Sequence, residues 1–195
     1  MSKICKATAL LLLIATLAGC TNTQDTIHER IHKKYYDMPS YTATCSVTVS
    51  SNKTRNTYDV SVWYDRESDR YRIDYDNMSI ILGDANAQIK KGDTVMSAPT
   101  DDSYMIMLPN AFFKSYYERE NAWISASVAN AGQTVLECEI VNPPKFASSM
   151  KLWIDNKTLL PRTMKVYDKD DNEKINVEYN EFKIIEITDD SIFEF

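Results

Sequence analysis

The stretch that decides the fold is residues 149–187, which read SMKLWIDNKTLLPRTMKVYDKDDNEKINVEYNEFKIIEI. Three apolar sets recur there at every second position: Met150, Leu152 and Ile154, then Met164 and Val166, then Ile175, Val177 and Tyr179. A period of two places each set on one face of a β-strand. The breaks between the sets are short and rich in Asp, Asn and Lys, as hairpin turns are. The pattern predicts an antiparallel meander with one apolar face.

The alternation slips near the end of this stretch. Beyond Tyr179, the apolar residues Phe182 and Ile184 fall on the opposite parity. A β-bulge adds one residue to one strand and reverses which side chains face the core. We therefore predict a bulge or corner near Asn180–Glu181, as a curved sheet requires.

The earlier part of the chain continues the same pattern. Alternation predicts strands at residues 41–50, 57–64, 70–75, 78–82, 87–90, 94–98, 123–128 and 135–141. Helical spacing predicts a first helix from Ile27 to about Met38, ended by Pro39, and a second that opens at Pro109. The sequence thus predicts one α+β domain, mainly antiparallel β, over residues 27–195.

The second predicted helix lies in the most aromatic part of the chain, residues 104–117. Its rings either fill the inside of a curved sheet or face a cavity or a partner. The candidate partner or cavity surface consists of Tyr104, Met105, Met107, Phe112, Phe113, Tyr116 and Tyr117.

The first 19 residues have the composition of an export signal. Lys3 and Lys6 precede an apolar run that ends in Leu17-Ala18-Gly19-Cys20, which matches the bacterial lipobox. We expect a lipoprotein signal peptide over residues 1–19, a lipid on Cys20 and a tether over residues 20–26. An ordinary signal peptide and an uncleaved anchor are the alternatives. The lipobox predicts an extracytoplasmic protein held on a membrane by its lipid.

The net charge and the motifs of the sequence limit the classes of function to be considered. The net charge of −6 argues against a nucleic-acid partner, because phosphates would repel the chain. The sequence has no glycine-rich phosphate loop, no Cys-x-x-Cys pair and no Gly-x-Ser-x-Gly elbow. We expect no cofactor and no catalytic residues.

One segment does match a catalytic pattern. His28-Glu29-Arg30-Ile31-His32 has the two histidines and intervening glutamate of a zinc hydrolase. These two are the only histidines in the chain, so a carboxylate would have to be the third ligand. The predicted position, close to the lipid anchor, favours a surface helix without metal.

Cys45 and Cys138 both fall on the apolar parity of their strands. Buried free thiols and a disulfide both fit this pattern.

Several motifs together resemble the superfamily of LolA, LolB and RseB. They are Tyr71-Arg72-Ile73-Asp74, Ile80-Ile81-Leu82-Gly83-Asp84, residues 152–161 (LWIDNKTLLP), Lys165-Val166-Tyr167-Asp168 and residues 190–195 (DSIFEF). The resemblance implies a curved, half-open β-barrel covered by an N-terminal helix and a helical loop. Its concave face would hold acyl chains or a protein partner.

With its lipobox and its small number of glycines, the chain also resembles the GerS family of clostridial spore germination lipoproteins. That resemblance implies a non-enzymatic protein of the spore envelope that binds and supports a CwlD-like N-acetylmuramoyl-L-alanine amidase. A lipid- or lipoprotein-binding protein of the LolA/LolB type is the alternative. An open sheet also leaves strand edges through which a homodimer could form.

Overall fold

The computed structural model describes residues 25–51, 53–83, 86–100, 105–118 and 132–195. Within them lie helices α1 (Ile27–Tyr35) and α2 (Pro109–Glu118) and a short 3-10 turn, Asp190–Phe193. The strands are β1 (Tyr41–Ser50), β2 (Arg55–Asp65), β3 (Arg70–Tyr75), β4 (Met78–Leu82), β5 (Asn86–Lys91), β6 (Thr94–Pro99), β7 (Gln133–Glu139), β8 (Ser149–Asp155), β9 (Pro161–Tyr167) and β10 (Glu173–Ile184).

All ten strands form one antiparallel sheet in the order β6-β5-β4-β3-β2-β1-β10-β9-β8-β7. Two meanders, β1 to β6 and β7 to β10, meet where β1 pairs with β10. The sheet does not close on itself, so β6 and β7 are its edges in the described part of the chain. The predicted half-open barrel, with a helix at its N-terminus and another in the 104–117 region, is confirmed.

The predicted bulge is present at Asn180. Along β1, Thr44 pairs with Glu181 and the next residue, Cys45, pairs with Tyr179, which leaves Asn180 as the extra residue on β10. Tyr179 and Phe182 are therefore both buried, although three positions separate them. The parity slip in the sequence is the direct consequence of this bulge. Ile184 is 40% exposed and does not join the core.

The core lies between one face of the sheet and the two helices. Along β8, Met150, Leu152 and Ile154 have no exposed surface, whereas the residues between them are partly exposed. The same core contains Ile31 and Tyr35 from α1 and Phe112 and Phe113 from α2. These helices cover the concave face of the sheet.

The chain's last residues pack on the opposite, convex face. Arg70 donates to Asp190 at 2.6 Å and lies over the ring of Phe193, and Arg72 donates to the carbonyl of Ile192 at 2.8 Å. Beside them is a concavity of about 520 Å³. Its charged walls are already engaged, for example in the Arg72–Asp74 pair at 3.0 Å, so we do not treat it as the functional site.

Helix α1 is shorter than the sequence predicted. It ends at Tyr35, not near Met38, with Tyr36 as its C-cap. The predicted strand at 123–128, the signal peptide, the lipid on Cys20, residues 20–24 of the tether and Tyr104 lie outside the described residues. No helix among the described residues is long and apolar enough to cross a membrane.

Cys45 and Cys138 are buried and do not form a disulfide. Three strands of the sheet separate β1 from β7, which rules out a disulfide between them. Burial raises the pKa of the Cys45 thiol to about 12, so it stays protonated and unreactive.

Candidate functional site

A cleft of about 1570 Å³ lies beside the two helices. Its walls come from the C-terminal end of α1, from α2, from the start of β3, from the end of β6 and from the segment that follows β7. Five rings line it: Tyr35, Tyr36, Tyr71, Phe113 and Tyr117. The polar lining is Asp69, Thr100, Asn110, Lys114, Ser115, Glu118 and Asn142.

Helix α1 is positioned by its first turn and by its last. Thr26 and Glu29 form a capping box, in which the Thr26 N–H donates to the Glu29 carboxylate at 2.7 Å and the Glu29 N–H donates to the Thr26 hydroxyl at 3.3 Å. At the other end, the Tyr35 hydroxyl donates to the Leu159 carbonyl at 2.6 Å and the Lys34 ammonium donates to the Thr158 carbonyl at 2.9 Å. The helix is thereby fixed on the β8–β9 turn.

Helix α2 is positioned from the concave side of the sheet. Phe112 has no exposed surface, and Asn110 accepts a hydrogen bond from the Tyr41 hydroxyl at 2.9 Å. Near the other end of the helix, the Ser115 hydroxyl accepts from the Val141 N–H at 3.3 Å. One face of α2 is therefore held by β1 and by the segment after β7, and the neighbouring face borders the cleft.

The two helices meet through aromatic rings. Tyr35 stacks on Phe113 with ring centroids 4.5 Å apart. Closer to solvent, His32, Tyr36 and Tyr117 contact one another, with centroids 4.9 to 5.7 Å apart, and we call these three the mouth cluster. Tyr36 is 68% exposed, the highest value among the large apolar side chains that the structure describes. The mouth cluster is therefore a partly exposed aromatic surface at the rim of the cleft.

Two phenols of the cleft, those of Tyr71 and Tyr117, are neutral at physiological pH. Burial raises the pKa of Tyr117 and of Tyr71 well above the ordinary value, and neighbouring tyrosines add to both shifts. The Tyr117 hydroxyl has no hydrogen-bond partner within the described part of the protein. A buried hydroxyl without a partner is costly, so this group is available to a bound molecule.

The predicted surface residues divide into two groups. Met105, Phe113 and Tyr117 line the cleft. Phe112 lies fully in the core, and neither Met107 nor Tyr116 is part of the cleft lining. Tyr36, Tyr71 and Asp69 also line the cleft and were not predicted from the sequence. The spacing of His32 and Tyr36, one helical turn apart, was the available signal for the mouth cluster.

The zinc-hydrolase pattern on α1 has a structural explanation. The Glu29 carboxylate accepts hydrogen bonds from Thr26 and completes the helix cap, and the His32 ring packs against Tyr36 and Tyr117. In the described ranges, no three His, Cys, Asp or Glu side chains are grouped so that they could hold a metal ion. In this motif, Glu29 caps helix α1 and His32 belongs to the mouth cluster.

The chain is similar to several solved structures. An uncharacterised conserved protein from Thermus thermophilus is 11% identical, with a TM-score of 0.56 over 87% of this chain and 91% of that one. A chain of the complex between the CwlD amidase and the GerS lipoprotein of Clostridioides difficile is 23% identical, with a TM-score of 0.49 over 82% of this chain and 96% of that one. A LolA superfamily protein from Nitrosomonas europaea is 10% identical, with a TM-score of 0.48 over 87% of this chain and 96% of that one.

No protein of curated function matches the sequence at a significant level. A family model does match, over residues 1–193, and its family is described as sporulation protein YdcC-like. The resemblance stated from the sequence is confirmed at the level of the fold. Since the match spans nearly the whole chain, this protein belongs to the YdcC-like family of sporulation proteins.

Proposed function

We propose that this protein is a non-enzymatic envelope lipoprotein, anchored through Cys20, that binds and supports a cell-wall amidase of the spore cortex and is needed for germination. The observation that carries the proposal is the mouth cluster, a partly exposed aromatic surface beside a cleft of about 1570 Å³. The amidase is the partner implied by the sequence resemblance, and membership in a family of sporulation proteins agrees with it.

The composition of the cleft fits a protein partner. Tyrosine is enriched where protein interfaces are most tightly packed, because its ring gives a large contact area and its hydroxyl still forms a hydrogen bond. The Lys114, Glu118 and Asn142 side chains surround the rings with charge and amide groups, as the polar rim of an interface does. The site therefore combines aromatic anchors with polar side chains that select the partner's orientation.

The arrangement of the cleft agrees with a binding function that does not involve catalysis. The buried phenols of Tyr71 and Tyr117 are neutral, and neither histidine is among the described lining residues. Nucleophilic or acid–base catalysis requires a nucleophile within hydrogen-bonding reach of a base. Among the described lining residues, the Tyr71 hydroxyl donates to the Asp69 carboxylate at 3.5 Å, but burial raises the pKa of Tyr71 and keeps this phenol protonated.

The experiment is co-elution of the purified full-length lipoprotein with an N-acetylmuramoyl-L-alanine amidase in size-exclusion chromatography. We expect a stable complex of the two proteins, and we expect Tyr36→Ser to abolish it. Phe146→Ser is the matched control, since Phe146 is 42% exposed but lies outside the cleft lining. Separate elution of the wild-type proteins would contradict the amidase assignment.

The second candidate function is the binding of a lipid or a lipoprotein. The volume of the cleft favours it, because about 1570 Å³ is ample for an acyl chain. The many polar side chains of the lining weigh against it, since an acyl chain would leave them without hydrogen bonds. Mass spectrometry of the natively purified protein decides between the two functions: stoichiometric lipid beyond the Cys20 anchor would support the lipid carrier.

A further inference from the structure

Basic side chains come together where helix α1 lies on the β8–β9 turn. The Lys34 ammonium donates to the Thr158 carbonyl at 2.9 Å, and the Tyr35 hydroxyl donates to the Leu159 carbonyl at 2.6 Å. These contacts bring three basic residues of the helix next to one of the turn and one at the start of β9. We call the five residues the basic surface: Arg30, Lys33, Lys34, Lys157 and Arg162.

Three acidic side chains accompany them in residues 25–34 and 155–162, and all three are engaged within the protein. Glu29 completes the cap of α1, and Asp155 accepts from two N–H groups of the β8–β9 turn. Asp25 forms an ion pair of 2.7 Å with a lysine of the helix. Five basic residues against three acidic ones make this region positive, whereas the whole chain has 22 basic and 28 acidic residues. The basic surface therefore differs in sign from the chain as a whole.

The proposed lipid anchor keeps this surface close to the membrane. Thr26, the N-cap of α1, comes six residues after Cys20, and six residues span at most about 22 Å even when fully extended. Anionic headgroups attract the basic surface and repel the acidic remainder of the domain. Because the two forces act on opposite sides of an anchored body, they turn the basic surface towards the bilayer.

We propose that the basic surface lies against the headgroups of anionic phospholipids and so fixes the orientation of the anchored protein. The inference rests on the lipid anchor of the proposed function. Lys and Arg side chains donate charge-assisted hydrogen bonds to phosphate oxygens. Arg30 and Lys157 form no ion pair with any residue that the structure describes, so they can bind phosphate without breaking an internal contact.

This orientation leaves the mouth cluster free. A helix turns by about 100° per residue, so Lys34 and Tyr36 lie on opposite sides of α1. Lys34 contacts the β8–β9 turn, whereas Tyr36 contacts Tyr117 of α2. A protein partner would therefore reach the mouth cluster along the membrane surface, at a height that the basic surface determines.

The test is lysine footprinting of the full-length lipidated protein in nanodiscs, with an amine-reactive reagent and mass spectrometry. Discs of phosphatidylglycerol are compared with discs of phosphatidylcholine. We expect Lys33 and Lys157 to react about fivefold more slowly in the anionic discs, and salt at about 0.5 M to remove the difference. Lys53 and Lys169 are internal controls that should react alike in both discs. They lie in the β1–β2 and β9–β10 turns, at the opposite end of the sheet from the β8–β9 turn.

Charge reversal tests the basic surface directly. Arg30→Glu combined with Lys157→Glu should remove the protection of Lys33 in the anionic discs. Lys53→Glu combined with Lys169→Glu changes the net charge equally and should leave that protection intact. Protection of Lys33 that is equal in the two kinds of disc, or absent from both, would overturn the proposal. The intact mass of the protein reports the lipid anchor, and co-elution reports amidase binding, so a failure of the proposed function is seen separately.

Discussion

The hydroxyl of Tyr35 donates a hydrogen bond of 2.6 Å to the carbonyl of Leu159 and joins α1 to the β8–β9 turn. Leu159 has a φ of +56°, a left-handed conformation that a leucine adopts at a cost. That turn is held in place by Asp155, which accepts from the N–H groups of Lys157 and Thr158 at 3.0 and 2.9 Å. The position of the mouth cluster therefore depends on this turn.

We expect Tyr35→Phe to lower the free energy of unfolding by about 1–2 kcal/mol, because the part-buried Leu159 carbonyl loses its partner. Chemical denaturation of the two proteins measures the difference. Tyr36→Phe is the matched control and should change the free energy of unfolding by less than about 0.5 kcal/mol, since Tyr36 is exposed. Equal effects of the two substitutions would show that the Tyr35 hydrogen bond does not hold α1.

Deletion of Asn180 should destabilise the protein severely. Without the extra residue, Phe182 would turn to the other face of the sheet and leave Tyr41, on which its ring stacks at 4.7 Å. Loss of a buried phenylalanine costs about 3–5 kcal/mol. Asn180→Ala keeps the bulge and should have a small effect. Thermal unfolding followed by circular dichroism compares the two variants, and similar melting temperatures would contradict the role assigned to the bulge.

The Asp155 carboxylate should make the protein acid-sensitive. Hydrogen bonds from the Thr158 backbone and hydroxyl and from Lys157 and Arg162 lower the pKa of Asp155 to about 2, against an unfolded value of about 3.9. A lowered folded-state pKa stabilises the fold above pH ~4, and that contribution is lost as the pH falls toward ~2.

Asp155→Ala should therefore lower the free energy of unfolding by about 1–2 kcal/mol at about pH 7, and the difference from wild type should shrink between about pH 4 and pH 2. Urea denaturation at several pH values measures it. Asp170→Ala, in the exposed β9–β10 turn, is the control and should match the wild type throughout. A difference that stays constant with pH would mean that the Asp155 charge does not stabilise the turn.

Buried tyrosines should limit stability in alkali. Burial raises the pKa of Tyr64 to about 12, and burial raises the pKa of Tyr71 and Tyr35 still further. Unfolded tyrosine ionises near pH ~10, so these groups stabilise the fold below pH ~10 and lose that contribution as the pH rises through their folded-state pKa values. We expect phenolate absorbance to rise together with the loss of circular dichroism. Ionisation of all twelve tyrosines in a protein that stays folded would contradict the burial of these rings.

Local sequence patterns were sufficient for most of the strands. The period of two predicted β8, β9 and the start of β10, and the parity slip after Tyr179 predicted the bulge at Asn180. The pairing of β1 with β10 could not be predicted in the same way, because the two strands lie at opposite ends of the domain's sequence and alternation does not identify a strand's neighbour. The contact of Tyr35 with Leu159 depends on that pairing, so it could not be predicted from the sequence either.

The site was predicted only in part for the same reason. Met105, Phe113 and Tyr117 came from the aromatic composition of one segment. Tyr36 and Tyr71 join them from distant parts of the chain, through the packing of α1 against α2 and the curvature of the sheet. Helical spacing did not distinguish Phe112 from Phe113. The fold places Phe112 in the core with no exposed surface and Phe113 in the lining of the cleft.

The most direct test of the account is isothermal titration calorimetry of the full-length protein with an N-acetylmuramoyl-L-alanine amidase. The account predicts saturable one-to-one binding, at least about tenfold weaker for Tyr36→Ser, because removal of an aromatic anchor typically costs about 2 kcal/mol. Phe146→Ser should bind like the wild type. Absence of binding, or equal affinity of Tyr36→Ser and the wild type, would contradict the claim that the mouth cluster holds a cell-wall amidase.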